Sequence, residues 1–408
     1  MIKQKNIIAV LDIGSSKIMC MIAKINAQKQ IEVLGGGHCA SKGFKAGVIT
    51  DVDLAKDSVI HAVEKAEKIT GETIKNVYVS LNSNNLISEN VQAEITVSGH
   101  EINMKDLNKL LIKAISSFNQ QEVEIIHSFA TEYILDGNRG ITSPLGLYGN
   151  KLLCRYHIVI VPSIVLFNIT NCLAKCQLGV INYISSAYAS GLSCLTADEI
   201  KLGAVLIEFG GGMTSISIFG NNNLLFTDGL PFGGISITND IAKCLGIDFF
   251  SAEKVKILHG RVNNGSFDDN EIIEISANNE ENTESIIITK AELTEIIKAR
   301  VEEIITLIMK KFQHSKLKNF SNKIVICGGS IQLYGSKKLI SELFNMQSRV
   351  GNLIKIKGIT EEEKDISFST AIGMLIHVAE LISRDKKNIS TENSNKLAKL
   401  WQWIKENF

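Results

Sequence analysis

Two short segments of the chain combine an acid, glycine and hydroxyl side chains in the same order. The first, "VLDIGSSK", contains Asp12 and Gly14, and the second, "LIEFGGGMTS", contains Glu208 and Gly210. In each segment the acid ends an apolar run and the glycine follows two residues later. Glycine lets backbone N–H groups converge on an anion, so both segments are suited to binding phosphate.

Neighbouring side chains extend this chemistry. The hydroxyls of Ser15, Ser16 and Thr214 can donate hydrogen bonds to phosphate oxygens. Lys17 adds a positive charge beside the first glycine. The two acids cannot bind phosphate themselves, but Mg²⁺ keeps several waters and takes only one or two carboxylates. We therefore predict that both acids position the water shell of a magnesium ion.

Each segment alone has an ordinary structural explanation. A lone "FGGG" is more often a tight hairpin than a phosphate loop, and a single acid near a strand end often caps a turn. The same acid–glycine spacing recurs about two hundred residues later, however, and a structural accident need not recur. The repeat predicts two related halves that face each other across a nucleoside triphosphate.

Two further patterns could complete a nucleotide site. The segment "ICGGS", at 326–330, is a third glycine turn after a strand and would suit packing against a nucleoside. Glu253 and Lys256 lie one helical turn apart, where they could reach ribose hydroxyls. Taken alone, that pair would be a solvated surface ion pair.

Composition limits the possible functions. A chain of 408 residues with 45% hydrophobic content should form about two to three domains. The 43 basic residues balance the 43 acidic ones, which argues against nucleic acid as a general partner. The one close cysteine pair, Cys172 and Cys176, is expected to be two core thiols rather than a metal site. We see neither a signal peptide nor a run of about 18 apolar residues, so membrane contact is expected to be peripheral.

Hydrophobic periodicity predicts the elements that position these motifs. In the first half we expect two strands within 7–25, a helix at 51–69 and a strand at 74–81. Shorter strands and turns around a helix at 103–118 then predict an inserted subdomain. After it, the segment "HIVIVP" is expected to resume a core strand of the first domain.

The second half repeats this organisation. Two strands are expected within 204–226, followed by helices from about 235 and at 290–312. A polar stretch at 263–284 is expected to be a loop, and a final core helix is expected at 368–382. The polar residues after that helix predict a flexible linker.

These motifs resemble those of the actin-like ATPases, whose fold is shared by actin, sugar kinases and heat-shock chaperone ATPases. The segment "LDIGSSK" is similar to the first phosphate loop of that fold, "IEFGGGMTS" to the second and "VICGGSIQLYG" to the adenosine motif. More narrowly, the chain resembles the FtsA family of bacterial cell-division proteins along nearly its whole length. The segments that carry this resemblance are "GHCASKGFKAGVITDVD", "HSFATEYILDGNRGITSPLGLYG" and "PFGGISITNDIAKCLG".

The resemblance implies an α/β, actin-like ATPase fold, in which two duplicated α/β domains enclose a nucleotide cleft and the first carries an FtsA-type inserted subdomain. The first domain is expected at 1–81 and 158–195, interrupted by the insert at 82–157. The second domain is expected at 196–365, with a helical and looped subdomain at about 236–300. A C-terminal core helix at 366–383 should return to the first domain, followed by a flexible linker at 384–395 and an amphipathic helix at 396–408.

The resemblance also implies an ATP-binding, filament-forming adaptor that tethers FtsZ polymers to the inner face of the cytoplasmic membrane at the division site. ATP and Mg²⁺ are the expected ligands. The expected partners are the C-terminal tail of FtsZ, further copies of the chain, later division proteins bound by the insert, and an anionic membrane surface. The nucleotide-binding residues carried over by motif are Asp12, Gly14, Ser15, Ser16, Lys17, Gly210, Gly211, Gly212, Met213, Thr214, Gly233, Glu253, Lys256, Gly328, Gly329 and Ser330.

Two positions refine this expectation. Arg300, within "EIIKARVEEI", matches a basic position that the family uses to hold the acidic FtsZ tail, although an arginine on an amphipathic helix is ordinarily just solvated. Glu208 stands where the relatives carry Asp, and its extra methylene lengthens the side chain by about 1.5 Å. Since hydrolysis needs tight positioning, we predict ATP binding with slow or negligible hydrolysis.

The last segment, "NKLAKLWQWIKENF", predicts an amphipathic helix. Tryptophan prefers the headgroup region and lysine side chains extend around an apolar face, so this helix should lie in a membrane interface. The alternative is a terminal helix docked on the protein's own core, but the polar linker and the family resemblance favour the membrane. The residues expected to contact the membrane are Leu397, Leu400, Trp401, Trp403, Ile404 and Phe408.

Two other functions use the same fold. A small-molecule kinase needs a catalytic acid and an acceptor pocket, and it has no use for a detachable amphipathic tail. A pilus-assembly or rod-shape scaffold would share the nucleotide motifs but should lack the inserted sequence around 127–149. The insert and the tail together favour the cell-division adaptor.

Overall fold

The computed structural model describes residues 7–389, with the backbone alone for 276 and 384–389. The positions within that range that it leaves out are 27, 29, 83, 85, 119–120, 264–269, 277–284, 316, 318–319 and 322. The strands are β1 (Ile7–Ile13), β2 (Lys17–Ile25), β3 (Ile31–Ala40), β4 (Phe44–Lys45), β5 (Val48–Ile49), β6 (Asn76–Leu81), β7 (Ile87–Thr96), β8 (Val123–Leu135), β9 (Asn138–Ile141), β10 (Lys151–Pro162), β11 (Gly179–Ser185), β12 (Ala204–Phe209), β13 (Thr214–Gly220), β14 (Asn223–Leu230), β15 (Ile272–Ser276), β16 (Ser285–Thr289), β17 (Lys323–Cys327) and β18 (Gln347–Val350). The helices are α1 (Val52–Thr70), α2 (Met104–Ser117), α3 (Ser163–Lys175), α4 (Ser186–Cys194), α5 (Ala197–Leu202), α6 (Gly234–Leu245), α7 (Phe249–His259), α8 (Lys290–His314), α9 (Ser336–Phe344) and α10 (Ser369–Ile389).

The first half is built on a five-stranded sheet in the order β11-β6-β1-β2-β3. β1 pairs antiparallel with β2 and parallel with β6, so the predicted strand–turn–strand unit near the start of the chain is confirmed. The helix predicted at 51–69 is α1, which packs against β2 and β3. Its first turn is capped by the Asp51 carboxylate, which accepts hydrogen bonds from the N–H groups of Asp53 and Leu54.

The second half repeats this arrangement in a sheet of order β14-β13-β12-β17-β18. β12 pairs antiparallel with β13 and parallel with β17, as β1 does with β2 and β6. Alternate residues of β12 enter different hydrophobic clusters: Leu206 packs with residues of both halves, whereas Ile207 packs with residues of α6 and α8. The internal repeat of the sequence is therefore a structural duplication.

The segment between β6 and α3 forms a separate four-stranded sheet in the order β7-β10-β8-β9, with α2 packed on β7 and β10. An insert at this place was predicted, but its last strand was assigned wrongly. "HIVIVP" is the end of β10, which pairs with β7 and β8 up to Pro162, so the boundary expected at 157/158 falls inside one strand. An apolar run indicates a buried strand without indicating the sheet to which it belongs.

Two other predictions are corrected. The stretch 263–284, expected to be a loop, includes β15, which pairs with β16 as an antiparallel ribbon. Its strand signal is only five residues long and lies among polar residues. Residues 384–389, expected to begin the linker, continue α10, because they contain neither glycine nor proline and include arginine and lysine. The rest of the linker and the terminal segment lie outside the described residues.

Helices α4 and α10 cross where the two halves meet, and we call this crossing the junction. A side chain at Gly373 would collide with the carbonyl oxygen of Ala189, so only glycine permits this approach. The window Ile366–Ser383 is long and apolar enough to cross a membrane, but 56% of it is buried inside the protein. Helix α10 also packs against β1, β2 and β6, which agrees with a C-terminal core helix that returns to the first domain.

Candidate nucleotide-binding site

The two acid–glycine segments form turns of the same geometry at corresponding places in the two sheets. The first turn connects β1 to β2, and the Gly14 N–H donates to the Lys17 carbonyl at 3.0 Å. The second connects β12 to β13, and the Gly210 N–H donates to the Met213 carbonyl at 2.9 Å. The repeat seen in the sequence is thus a repeat of hydrogen bonding as well.

These two turns lie directly against each other. A side chain at Gly211 would come within 2.6 Å of the Ser16 hydroxyl oxygen, and one at Gly212 would collide with Ser15. The Ser15 hydroxyl accepts a hydrogen bond from the Ala46 N–H at 2.9 Å. The structure therefore brings predicted residues of both segments into contact, and glycine is required for that approach.

The third glycine turn joins the same cluster. Gly328 follows β17 with a φ of +91°, a left-handed conformation that favours glycine. The Ser330 hydroxyl donates to the Gly210 carbonyl at 2.9 Å. At the start of α6, the Gly234 N–H donates to the same carbonyl at 3.0 Å. Gly233 approaches so closely that a side chain there would collide with the second turn.

Glu253 and Lys256 form an internal pair rather than a solvated surface pair. The buried Lys256 ammonium lies 2.6 Å from a Glu253 carboxylate oxygen and 2.8 Å from the Thr238 hydroxyl. It also donates to the Gly234 carbonyl at 3.2 Å, which ties α7 to the first turn of α6. Lys256 therefore lies beside the glycines at the start of α6, and the expected contact of this pair with ribose hydroxyls stays a prediction.

The two acids lie where the two sheets meet, with Glu208 buried and Asp12 half-buried. Desolvation raises the pKa of the Asp12 carboxyl, and a hydrogen bond to Ser80 and the charge of Lys17 oppose that rise. Desolvation also raises the pKa of Glu208, and the negative charge of Asp12 adds to that rise. The Asp12 carboxylate is thus close enough to oppose the ionisation of Glu208.

Three hydroxyl groups hold the Glu208 carboxylate. Ser190 of α4 and Thr370 of α10 each donate to Oε1 at 2.9 Å, and Ser215 of β13 donates to Oε2 at 3.3 Å. Sequence reasoning missed Ser190 and Thr370, because they lie in apolar helices and belong to no motif. The only sign of this role in the sequence is a hydroxyl residue among the apolar residues of each helix.

The two acids fit a magnesium ion bound through water. Mg²⁺ takes one or two carboxylates and retains several waters, and a cation relieves the repulsion between two enclosed carboxylates. Among the described residues, no group of three or more histidine, cysteine, aspartate or glutamate side chains could ligate a metal directly.

Thr214 does not have its predicted orientation. We expected its hydroxyl to face a phosphate, but the hydroxyl donates to the Phe232 carbonyl at 2.9 Å and the residue is fully buried. Met213 is buried as well, so this part of the turn offers backbone groups rather than side chains. Gly329, in the third turn, lies close to the segment that precedes α10, because a side chain at Gly329 would be 3.5 Å from the Cβ atom of Ser367.

Arg300 lies on α8 and is bound to two acids. Its guanidinium contacts Asp240 of α6 through two nitrogens, with Nη2 at 3.0 Å from Oδ1, and Nη1 lies 2.6 Å from Glu303. Arg300 is therefore neither simply solvated nor an unpaired cation. Arg300 is one of the residues that line a cavity of about 220 Å³, which are Asp240, Cys244, Ile296, Ala299, Arg300 and Glu303.

The predicted membrane residues lie outside the described part of the chain.

Comparison with known proteins identifies the family. A family model described as cell division protein FtsA matches residues 205–373, and one described as the SHS2 domain inserted in FtsA matches residues 83–160. The cell division protein FtsA of Agrobacterium fabrum is 33% identical over 100% of this chain and 96% of its own length. This chain belongs to the FtsA family.

Other FtsA proteins match over their full length at lower identity. FtsA of Pseudomonas aeruginosa is 28% identical, covering 100% of this chain and 99% of the relative. FtsA of Escherichia coli is 25% identical, covering 99% of each chain. The family is one of cell division proteins, and its members carry the inserted domain that forms the four-stranded sheet here.

Solved structures of low sequence identity share the fold. The PilM–PilN type IV pilus biogenesis complex has a TM-score of 0.66 at 13% identity, covering 91% of this chain and 98% of the matched chain. MreB5 of Spiroplasma citri bound to ADP has a TM-score of 0.54 at 12% identity, covering 95% of this chain and 99% of that chain. These likenesses confirm the expected actin-like fold, and at such identity they show the fold alone.

Substituting Glu208 by Gln should stabilise the protein at pH 8. An acid whose pKa is raised by folding binds its proton more tightly in the folded state, so stability falls as pH rises from the usual 4.5 through the raised pKa. Glu208→Gln removes that titration and keeps a carbonyl oxygen for Ser190 and Thr370. The gain should be on the order of 1 kcal/mol for each unit of pKa difference, and it should shrink toward pH 5.

Thermal unfolding of the metal-free and nucleotide-free protein between pH 5 and pH 8 measures this effect. The exposed Glu64→Gln on α1 is the matched control and should show no gain that grows with pH. A stability gain of equal size at every pH, or a loss at pH 8, would contradict the raised pKa of Glu208.

Proposed function

We propose that this chain is an ATP-binding, self-assembling, actin-like cell-division protein that anchors FtsZ polymers to the cytoplasmic membrane and recruits later division proteins through its inserted domain. The observation that carries the nucleotide part is the convergence of three glycine turns, from both halves of the chain, beside two enclosed acids. Membership of the FtsA family supports the role in division. The solved structures of MreB5, which share the fold, contain ADP or AMPPNP.

In this proposal the phosphates of ATP lie between the turn at 14–17 and the turn at 210–213. Backbone N–H groups and the hydroxyls of Ser15 and Ser16 bind their oxygens. Because these two turns touch, phosphate binding requires them to move apart. The turn at 328–330 then lies against the adenosine, with Glu253 and Lys256 toward the ribose.

A bound Mg²⁺ would neutralise phosphate charge, and Asp12 and Glu208 would hold it through water. The protein's own contribution is to enclose both carboxylates and to fix their orientation. Hydroxyls of Ser190 and Thr370 hold the Glu208 carboxylate on the side of α4 and α10. A carboxylate held in this way is poorly placed to orient an attacking water.

ATP hydrolysis is therefore expected to be slow. We expect wild-type turnover far below about 10 s⁻¹, the middle of the range for enzymes. Phosphate release at saturating ATP and Mg²⁺ measures the rate, and calorimetry measures ATP binding separately. Binding without fast release agrees with the proposal, whereas turnover in the usual enzyme range would contradict the role given to Glu208.

The cavity beside Arg300 supports a docking role for the acidic FtsZ tail. The apolar side chains of Ile296 and Ala299 line the same cavity as Arg300. Asp240 already occupies the planar fork of Arg300, and Glu303 adds a second negative charge. An incoming carboxylate therefore competes with Asp240 for the same donors.

Two substitutions should change the affinity for the FtsZ tail in opposite directions. Arg300→Ala removes the cation and should weaken binding about tenfold or more, since a hydrogen bond to a charged group contributes roughly 1.5–3 kcal/mol. Asp240→Asn preserves the shape of the side chain but removes the competing charge, so it should strengthen binding.

Fluorescence anisotropy of a labelled FtsZ tail peptide measures both effects. Lys298→Ala removes a cation from the same helix and is the matched control, with wild-type affinity expected. Wild-type affinity in both the Arg300 and the Asp240 variants would remove this cavity from the proposal.

The membrane part of the proposal rests on the terminal sequence at 396–408. Its apolar stripe, tryptophans and lysines suit an interfacial helix. A single short helix of this kind binds a membrane reversibly. Self-assembly multiplies the contacts, so stable attachment should require assembled chains.

Deleting 396–408 should leave a soluble, ATP-binding protein that no longer carries FtsZ to anionic liposomes. Trp401→Glu places a charge on the apolar stripe and should also reduce attachment, because that charge must be taken out of water. Gln402→Glu adds the same charge outside the stripe and should have a much smaller effect. Co-sedimentation of FtsZ with liposomes, with and without ATP, measures all three, and unchanged sedimentation after the deletion would refute the membrane role.

A further inference from the structure

One short segment, 365–370, contacts three parts of the candidate nucleotide site: the first glycine turn, the residue Gln332 after the third turn, and the Glu208 carboxylate. The Asp365 carboxylate accepts hydrogen bonds at 2.8 and 3.1 Å from the amide of Gln332, which follows the third glycine turn. Ser367 and Phe368 contact Lys17 of the first turn. Thr370 donates to the Glu208 carboxylate. Sequence reasoning treated this segment only as the start of a core helix.

The contact with Lys17 is the most specific of these. The Lys17 ammonium lies 3.2 Å from the centroid of the Phe368 ring, well within the range of a cation–π interaction. It also donates to the Ser367 hydroxyl at 2.9 Å and to the Ser367 carbonyl at 3.4 Å. The ring itself is buried, and His38 packs edge-on against it with 5.8 Å between the centroids. The ring therefore has a fixed orientation.

These partners compensate for the surroundings of the ammonium. Burial lowers the pKa of Lys17, and the negative charges of Asp12, Asp365 and Glu362 oppose that effect. The ring face and the two Ser367 oxygens also favour the charged form of the side chain. The ammonium is thus held beside the turn at 14–17, against the residues that lead into α10.

We propose that Phe368 and Ser367 are positioning residues for the nucleotide, because they hold the Lys17 ammonium where it meets the terminal phosphates. This inference rests on the proposed ATP binding and names how that site is preorganised. A free lysine side chain samples many rotamers and loses that freedom when it binds a phosphate. The ring and the serine hold the ammonium in place before the nucleotide arrives.

The test is a double-mutant cycle in which ATP affinity is measured by calorimetry. Phe368→Leu removes the ring face, so the lysine must then be ordered when the nucleotide binds, and ATP binding should weaken roughly threefold to tenfold, the cost of immobilising one long side chain. Phe368→Tyr keeps the ring and should bind within about twofold of the wild type. Phe312→Leu changes a buried phenylalanine of α8 that packs against Phe344, and as the matched control it should bind like the wild type.

In a Lys17→Met background, Phe368→Leu should cause no further loss, because the cation that the ring positions is absent. Ser367→Ala, at a partly exposed residue, should weaken ATP binding without lowering the melting temperature. This variant also carries the test if Phe368→Leu fails to fold.

Three outcomes separate the ideas. An equal loss from Phe368→Leu with and without Lys17 would overturn the inference, since the ring would then act through packing alone. Wild-type affinity in both Phe368→Leu and Ser367→Ala would also overturn it, while leaving nucleotide binding intact. A wild-type protein that binds no ATP would overturn both this inference and the proposed nucleotide function.

Discussion

The hydrogen-bonded carboxylate of Glu208 is the constraint on which the arrangement of the two halves depends. It projects from β12 and accepts hydroxyl groups from α4 and α10, the two helices of the junction. A buried carboxylate is tolerated only when its oxygens are hydrogen-bonded, so both helices must lie where these bonds can form. The close contact of Gly373 with Ala189 allows α10 to reach that position. At this junction the two sheets face each other, and their glycine turns are in contact.

This arrangement connects the candidate nucleotide site to the end of the chain. Helix α10 begins at Ser369, beside the Glu208 carboxylate and the Lys17 contact, and continues to Ile389. Only residues 390–395 separate it from the segment expected to bind the membrane. The inserted sheet also contacts the second half, since the Ser88 hydroxyl donates to the Thr227 carbonyl at 2.6 Å. A movement of one half relative to the other would therefore also displace the inserted sheet and helix α10, which precedes the segment proposed to bind the membrane.

Local patterns were sufficient to predict the repeated strand–turn–strand units and the helix α1, and the resemblance of these motifs to a known family predicted the actin-like fold. The Gly14 and Gly210 turns carry their signal within a few residues, and the repetition of that signal made it reliable. The contacts that complete the site could not be predicted in this way. Lys17 and Ser367 are 350 residues apart in the chain, and nothing in either segment indicates the other. The orientation of Thr214 and the sheet membership of β10 likewise depend on tertiary packing, which periodicity does not report.

We expect ATP to bind between the two glycine turns, where the two halves meet. A crystal structure of the protein with AMPPNP and Mg²⁺ tests it most directly. In that structure the turns at 14–17 and 210–213 should have moved apart, with the phosphates between them and the metal water shell beside Asp12 and Glu208. A nucleotide bound elsewhere, or phosphates that lie outside these turns while the turns remain in contact, would contradict it.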